Sequence, residues 1–319
     1  MNLIVPVSYF FGAPRSEIWQ LDTETGIKKL LQTLPASERE VSGKGITGLA
    51  WLDNRYLIAC DFNRLLKLDR SSLEIITDYE DQEFNDLHSL SVDKGHIHVA
   101  NTGRDSIDIF NHQLQLQQRI DCLNKDEWEK RRSGDYVVSG NYFDSPDCTL
   151  AFNQRKVPDK WHLNHVFKAP ERLGGQVVAT SFSARRLLDV TSMQPVSSNF
   201  PSQPHDGFIY KEELWVSTVC GKIYKAPLEI PFHFEMVCDL FQIAPHQGWC
   251  RGLLIVDGLI FIGITSIYET TKRTNWLSGS LEETRSGIYQ LSMETMAIEA
   301  FHDFSSTKGS RIFTMIPDR

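Results

Sequence analysis

The sequence lacks any apolar run approaching the roughly 18 residues that a membrane-spanning helix needs, and it lacks an excess of positive charge. Lys and Arg number 33 against 41 Asp and Glu, which gives a formal net charge of −8. A basic nucleic-acid-binding surface is therefore disfavoured, and so is attraction to anionic lipid. The apolar N-terminus has no basic segment of the kind that opens a signal peptide. We predict a cytoplasmic protein with neither nucleic-acid nor membrane partners.

Closely spaced cysteine pairs are also missing. The six cysteines lie far apart in the chain, with no Cys-x-x-Cys motif among them. In a chain of this length without a secretion signal, we expect free, buried thiols rather than a disulfide framework.

What the chain does contain is an internal repeat of strand, turn and strand. It is clearest from Ile18 to Leu31 and from Leu66 to Ile76, and looser copies begin at Ile107, Leu187, Ile223 and Ile288. A short apolar run rich in strand-forming residues precedes each copy, and a further short run precedes that one. Six such units of four strands predict an all-β fold, a six-bladed β-propeller.

The two chain ends are predicted to complete one blade together. Residues 311–316 would supply its innermost strand and the N-terminus its other three strands, which removes the exposed sheet edges of an open array. The whole chain, residues 1–319, then forms a single propeller domain. Two insertions, near residues 122–158 and 270–284, are expected to be loops over the face where the innermost strands begin. The basic run Lys130-Arg-Arg in the first is expected to be a solvated surface.

Aligning the innermost strands predicts a ring of polar side chains around the central channel. The aligned core positions are Leu49, Leu90, Val166, Gly207, Leu253 and Phe313. Two residues earlier stand Thr47, His88, Asn164, His205, Arg251 and Arg311, and four earlier stand Gly45, Asp86, His162, Gln203, Trp249 and Gly309. By the period of two, both sets face the channel. His165 and Cys250 fall on the opposite face, so we expect both to be packing residues.

Three histidines in this ring predict a metal site. Neutral imidazoles of His88, His162 and His205 could bind a divalent transition metal (Zn, Fe, Mn, Ni or Cu) and leave a coordination position open. Asp86, Asn164 and Gln203 could complete the shell or orient the imidazoles, and Asp206 could accept a hydrogen bond from one of them or merely form a turn. The alternative is a polar tunnel that only holds ordered water.

The remaining ring residues predict a substrate site. Guanidinium groups of Arg251 and Arg311 match carboxylate, sulfate or phosphate. The predicted catalytic residues are Arg251, Arg311, His246 and Asn164, with His246 as an acid or base at the rim. The predicted substrate-binding residues are Arg251, Arg311, Trp249, Gln203 and Thr47.

Three segments of the second half carry a family resemblance. Lys160-Trp-His-Leu-Asn-His, Pro204-His-Asp-Gly and Trp249-Cys-Arg-Gly-Leu resemble the signature segments of a family of bacterial six-bladed propeller proteins of undefined function. The resemblance covers about residues 158–292, and in this chain the middle segment is contracted, with Pro204-His205 abutting Asp206-Gly207. It implies the fold and singles out His162, Asn164, His205 and Arg251, but it implies no reaction.

We therefore predict a metal-dependent lyase, isomerase, cyclase or hydrolase that acts on a small anionic substrate in the channel. The alternative is a non-catalytic propeller that binds a small anionic ligand or a partner protein.

Overall fold

The computed structural model describes residues 1–10, 16–35, 44–134, 150–155, 157, 159–268 and 274–318. In these ranges the strands form six antiparallel sheets, each built around a four-strand path. The fold is the predicted six-bladed β-propeller. No helix in the described ranges is long and apolar enough to cross a membrane.

The strands follow one another in chain order from blade to blade. The N-terminal strands of blade 6 are β1 (Asn2–Tyr9), β2 (Ser16–Asp22) and β3 (Lys28–Leu34). Blade 1 comprises β4 (Gly48–Trp51), β5 (Tyr56–Cys60), β6 (Arg64–Asp69) and β7 (Ile75–Glu80). Blade 2 comprises β8 (Leu87–Asp93), β9 (His96–Asn101), β10 (Ser106–Phe110) and β11 (Leu116–Asp121). Helix α1 (Lys125–Ser133) follows.

Blade 3 comprises β12 (Leu163–Lys168), β13 (Val177–Ser181), β14 (Arg186–Asp189) and β15 (Gln194–Pro195). Blade 4 comprises β16 (Pro204–Tyr210), β17 (Glu213–Thr218), β18 (Lys222–Pro227) and β19 (Glu235–Asp239), and the short helix α2 (Leu240–Ile243) follows it. Blade 5 comprises β20 (Trp249–Val256), β21 (Leu259–Thr265), β22 (Gly287–Ser292) and β23 (Ile298–Asp303). The chain returns to blade 6 with β24 (Ser310–Ile312) and β25 (Ile316–Pro317).

Blade 6 is closed by the two ends of the chain, as predicted. Val7 on β1 pairs with Ile312 on β24, and Leu3 pairs with Pro317 on β25. The innermost strand is therefore split into two short pieces, where the sequence predicted one continuous strand over residues 311–316.

The core lies between neighbouring blades, so each sheet buries both of its faces. In blade 1, Leu57, Ile58 and Ala59 are all 0% exposed although their side chains alternate between the two faces. Ile58 packs with Leu90 and Val99 of blade 2, whereas Leu57 packs with Ile18 of blade 6. Burial on both faces explains why these strands read as continuous apolar runs rather than as alternating ones.

The first insertion contains a helix where the sequence analysis expected only a loop. The Asn124 side chain accepts a hydrogen bond from the backbone N–H of Glu127 (2.9 Å), and Gly134 ends α1 in the left-handed conformation. The expectation of a solvated basic run is wrong for Arg131, which is 8% exposed and donates to Asp105 (2.8 Å), because the helix turns this side chain inward.

Parts of the other predictions lie outside the described residues. These are residues 135–149, 156 and 158 of the first insertion, and residues 270–273 of the second. The five cysteines within the described ranges are free and buried, as expected, and Cys148 falls outside those ranges.

Candidate functional site

Three histidines meet where the innermost strands begin. His88 lies on β8, His205 on β16, and His162 directly before β12. The ring centroid of His88 is 5.1 Å from that of His162 and 6.0 Å from that of His205. His88 and His205 are each 4% exposed. The structure thus brings together the three residues that the strand alignment grouped.

Each of the three imidazoles has a carboxylate at its Nδ1 atom. The pairs are His88 with Asp86 (3.2 Å), His162 with Asp159, and His205 with Asp206 (2.8 Å). A carboxylate in this position orients the ring and favours a proton on Nδ1, which leaves Nε2 to accept a proton or to bind a metal. Asp86 and Asp206 take the orienting role that the sequence suggested. Asp159 was missed because it lies in the connection between the first insertion and β12, where no strand period points to it.

Burial sets the charge state of these pairs. It lowers the pKa of His88 to about 4, although Asp86 opposes the shift. It also lowers the pKa of His205, despite the charge of Asp206. Burial alone would raise the pKa of Asp86, but the Lys44 ammonium and His88 hold it well below its usual range. At neutral pH, His88 and His205 are therefore neutral imidazoles beside charged carboxylates.

Irregular backbone places the histidines, where the sequence analysis assumed regular pleating. The pairing register shifts between Leu87 and Ser89 on β8, between Leu163 and Val166 on β12, and between Pro204 and Gly207 on β16. Asp86 and His162 adopt positive φ angles of 58° and 50°. Asp86 and His162 stand four residues before the aligned core positions Leu90 and Val166. They therefore reach the channel through the conformation of the loop that precedes each strand, not through the two-residue period of a strand.

One buried carboxylate holds the loop that carries His162. Asp105, in the turn between β9 and β10, is 1% exposed. It accepts hydrogen bonds from the backbone N–H groups of Lys160 (2.6 Å), Trp161 (3.1 Å) and His162 (3.1 Å). The guanidinium of Arg131 donates to it as well (2.8 Å). Blade 2 and α1 together therefore fix the backbone at His162, a role for Asp105 that no spacing in the sequence predicted.

Three cationic side chains lie near the histidines. The Lys44 ammonium pairs with Asp86. The Arg251 guanidinium carbon lies 4.5 Å from the centre of the Phe313 ring, and that of Arg311 lies 4.0 Å from the Phe10 ring. Burial lowers the pKa of Lys44, and repulsion from both arginines contributes to the shift. Lys44 was missed by the alignment because it lies five residues before the core position Leu49, whereas the alignment took the positions two and four residues before it.

Thr47 and Asn164 connect neighbouring blades. The Thr47 hydroxyl donates to the carbonyl of Leu87 in blade 2 (2.5 Å), and the Asn164 amide donates to that of Pro204 in blade 4 (3.3 Å). Both carbonyls belong to the residue directly before a ring histidine. The two side chains thus support the backbone of His88 and His205, whereas Oδ1 of Asn164 has no hydrogen-bond partner among the described residues.

The other predicted residues occupy different surroundings. The indole of Trp249 lies 5.6 Å from the Arg251 guanidinium carbon, beside the ring. The Gln203 side chain accepts a hydrogen bond from the hydroxyl of Ser202 (3.2 Å). His246 packs on Phe301 of β23, the outermost strand of blade 5, with 5.1 Å between ring centroids. The structure therefore places His246 away from the three central histidines.

The expectation for His165 is wrong. The irregular stretch between Leu163 and Val166 turns its imidazole to the channel, where it lines a cavity of about 550 Å³ next to Asp206. A two-residue period cannot predict this, since the bulge resets the alternation of the strand.

The three imidazoles are of the donor type that transition metals bind, but their present positions do not group them around one metal ion. Neutral rings with carboxylates on Nδ1 are the usual surroundings of metal-binding histidines. However, within the part of the chain that the structure describes, no three His, Cys, Asp or Glu side chains form a group that could hold a metal ion. The predicted metal set is therefore not preformed.

Comparisons with known proteins address the fold only. No protein-family model matches the chain, and no curated protein matches it either. The family resemblance of the three segments therefore stays a prediction, although similar solved structures include bacterial proteins.

Three solved structures illustrate the likeness. A protein of unknown function from Bacteroides caccae has a TM-score of 0.63 at 10% identity, over 98% of this chain and 97% of its own. A chain of the nidogen/laminin complex has a TM-score of 0.62 at 10% identity, over 99% and 97%. A candidate 6-phosphogluconolactonase from Bacteroides uniformis has a TM-score of 0.53 at 13% identity, over 94% and 82%. Identities this low indicate a shared propeller fold and no more.

Proposed function

We propose that the end of the channel around His88, His162 and His205 is the active site of an enzyme that acts on a small anionic substrate. The observation that carries this proposal is the set of three neighbouring imidazoles, each with a carboxylate on Nδ1, beside three cationic side chains. Packing alone does not account for so many buried ionisable groups in one place, since each costs desolvation energy.

The cationic groups supply the specificity for an anion in this proposal. Arg251 and Arg311 would hold a carboxylate or phosphate, and aromatic rings support both guanidinium groups. Lys44 balances Asp86, so that the pair adds no net charge. Trp249 would form an apolar wall beside the bound anion.

The imidazoles would move protons. A neutral ring whose Nδ1–H donates to a carboxylate has Nε2 available as a base, and the carboxylate stabilises the imidazolium that forms. Proton removal from a carbon next to the anionic group, as in a lyase or isomerase, uses these groups directly. A fold neighbour described as a candidate 6-phosphogluconolactonase carries an anionic substrate in its name, and this agrees with the proposed substrate charge.

Metal dependence is the second candidate, favoured by the carboxylates on Nδ1 of all three rings. The ligands would be His88, His162 and His205, and a bound metal would supply Lewis acidity. The rings would have to move closer together first, since they are not grouped for binding now. Elemental analysis of untagged protein, with His88→Ala and His205→Ala beside it, tests this: one equivalent of transition metal, lost in both variants, would support it.

Anion binding tests the main proposal. Calorimetric titration with acetate, malonate and phosphate should show binding that falls at least about tenfold in Arg251→Met, the loss expected for one charge-assisted contact. The matched control is Arg172→Met, because Arg172 pairs with Glu212 at an exposed position. Equal affinities in wild type and Arg251→Met would contradict the site.

Turnover separates an enzyme from a binding module. Small carboxylates incubated with the protein in D2O should lose C–H signals by NMR, and His88→Gln should abolish the exchange. Anion binding without exchange or other turnover would favour the non-catalytic alternative, a propeller that binds a small anionic ligand.

A further inference from the structure

The central channel continues below the histidines as a chamber of about 550 Å³. All six blades contribute to it through their innermost strands. The wall includes Leu49, Leu90, Phe167, Phe208, Leu253 and Ile316. A volume of this size lies within the range of pockets that enclose small molecules, roughly 300–1,000 Å³.

Much of the lining is apolar and incompletely buried. Trp51, Val92, Phe208 and Val256 all line the chamber, yet each is only partly buried in the folded chain. Trp51 is held in place there because its indole N–H donates to the carbonyl of Pro317 (2.9 Å). Apolar surface that folding leaves uncovered inside a concave chamber is available to an apolar ligand.

Among the described residues that line the chamber, no cation is left without an anionic partner, so an anion finds no free positive charge there. Three charged side chains line it, and each has an opposite partner or polar contacts. Asp206 accepts from His205 Nδ1 (2.8 Å) and from the backbone N–H of Gly252 (2.6 Å). Asp93 and Lys168 lie 3.7 Å apart. The chamber therefore differs from the arginine-rich end of the channel.

His165 supplies a polar group at the inner end of the chamber. Its backbone N–H is bonded to Thr180 Oγ1 (3.0 Å), whereas no described residue forms a hydrogen bond with its ring nitrogens. Gly207 gives the ring room, because a Cβ there would lie 3.1 Å from His165 Cδ2. Burial lowers the pKa of His165, so the ring is neutral and can donate or accept one hydrogen bond.

We propose that this chamber is a second binding site, for a neutral molecule with an apolar body and one hydroxyl or carbonyl group that bonds to His165. The apolar body lies against Trp51, Phe208 and Val256. The site is separate from the anion site and does not depend on it, since the charged groups of the chamber are already satisfied.

The test uses 2-naphthol as a probe, with binding followed by energy transfer from tryptophan. We expect saturable binding, and transfer that falls in Trp51→Phe because that residue lines the chamber. His165→Leu should weaken binding about fivefold, the value of one hydrogen bond. His233→Leu, at an exposed position, is the matched control.

Two further comparisons make the outcome decisive. The charged analogue 2-naphthoate should bind at least about tenfold more weakly than 2-naphthol, because its carboxylate would lose water without a free cation to replace it. Ser91→Phe on β8, and Thr314→Phe between β24 and β25 of blade 6, should each fill the chamber and reduce binding at least about tenfold.

Three results would overturn the proposal. Absence of 2-naphthol binding to the wild type would show that the chamber is no ligand site. If Ser91→Phe or Thr314→Phe folds and binds 2-naphthol with unchanged affinity, the probe binds outside the chamber. The same follows if energy transfer to the probe is unchanged in Trp51→Phe. Tighter binding of 2-naphthoate that is lost in Arg251→Met would make the chamber an extension of the anion site.

Discussion

Replacing Asp105 by asparagine should destabilise the propeller strongly, although Asp105 lies in a turn. The carboxylate is 1% exposed and accepts four hydrogen bonds, from Arg131 and from the backbone of residues 160–162. Asparagine keeps one oxygen but sets an NH₂ group against backbone donors. It also leaves the charge of the Arg131 guanidinium without its carboxylate, although the guanidinium still donates to the Gly103 carbonyl (3.1 Å).

The magnitude follows from these losses. Removing one partner of a buried ion pair costs about 3–5 kcal/mol, and an unsatisfied buried donor costs about 1–3 kcal/mol. Because a local rearrangement can admit water, we expect a total near the lower end, about 3–5 kcal/mol for Asp105→Asn. Arg131→Met should cost less in the Asp105→Asn background than alone, since the charge it removes is already unpaired.

Urea denaturation followed by circular dichroism measures this effect. The matched control is Asp53→Asn: Asp53 also accepts two backbone N–H bonds in a turn, from Arg55 (2.7 Å) and Tyr56 (2.9 Å), but it is exposed. The control should cost less than about 1 kcal/mol. A loss in Asp105→Asn as small as that of the control would refute the reasoning. Long-range ¹H–¹⁵N spectra should also show a changed His162 ring in Asp105→Asn alone.

Three other outcomes follow from burial and backbone geometry. The pKa of His88 falls from 6.5 to about 4 on folding, so between these pH values the unfolded chain binds a proton that the folded chain does not. The free energy of unfolding is therefore unaffected by His88 above pH 6.5 and drops by about 3 kcal/mol as the pH falls to 4. Urea titrations should show that slope, reduced in His88→Gln; no pH dependence in this window would contradict it. Leu253→Ala should lower the free energy of unfolding, measured by calorimetry, by about 2–5 kcal/mol, because it leaves a cavity in the core. A loss below about 1 kcal/mol would contradict the placement of Leu253 in the core. Gly221→Ala should cost about 1–3 kcal/mol in the same assay, since φ is +80° and its Cβ would lie 2.6 Å from Phe241; a neutral change would contradict this.

The blade pattern was predictable because the inner strands of every blade are buried on both faces by the neighbouring blades. Strands such as β5 and β21 bury both faces, so their sequences are continuous apolar runs between turn residues. The closure of blade 6 followed from counting runs at both chain ends. Helix α1 was not predicted, because its charged residues show no apolar period and its buried side chain is Arg131, which packs through an ion pair.

The candidate site was predictable only where the innermost strands are aligned with one another. That alignment found His88 and His205 directly. Asp159 and Lys44 were missed since they lie in connections whose paths no strand period defines. Arg251 was placed by the alignment, and its neighbour Trp249 followed from the same strand, β20.

The error at His165 shows what limits the period-two argument in this fold. Four innermost strands carry a register shift near the ring position, on β8, β12, β16 and β20. A bulge adds one residue to a strand, so that the residues before it point to the opposite face from the one that the two-residue period predicts. The register shift that directs the site side chains into the channel therefore also prevents their prediction from the sequence. In this propeller the irregular beginnings of these four strands carry most of the site residues, and the regular parts of the innermost strands line the chamber. Polar residues directly before the core position of an innermost strand are therefore candidate channel residues on either face, and Asp206 and His165 are the two that this chain adds to the ring.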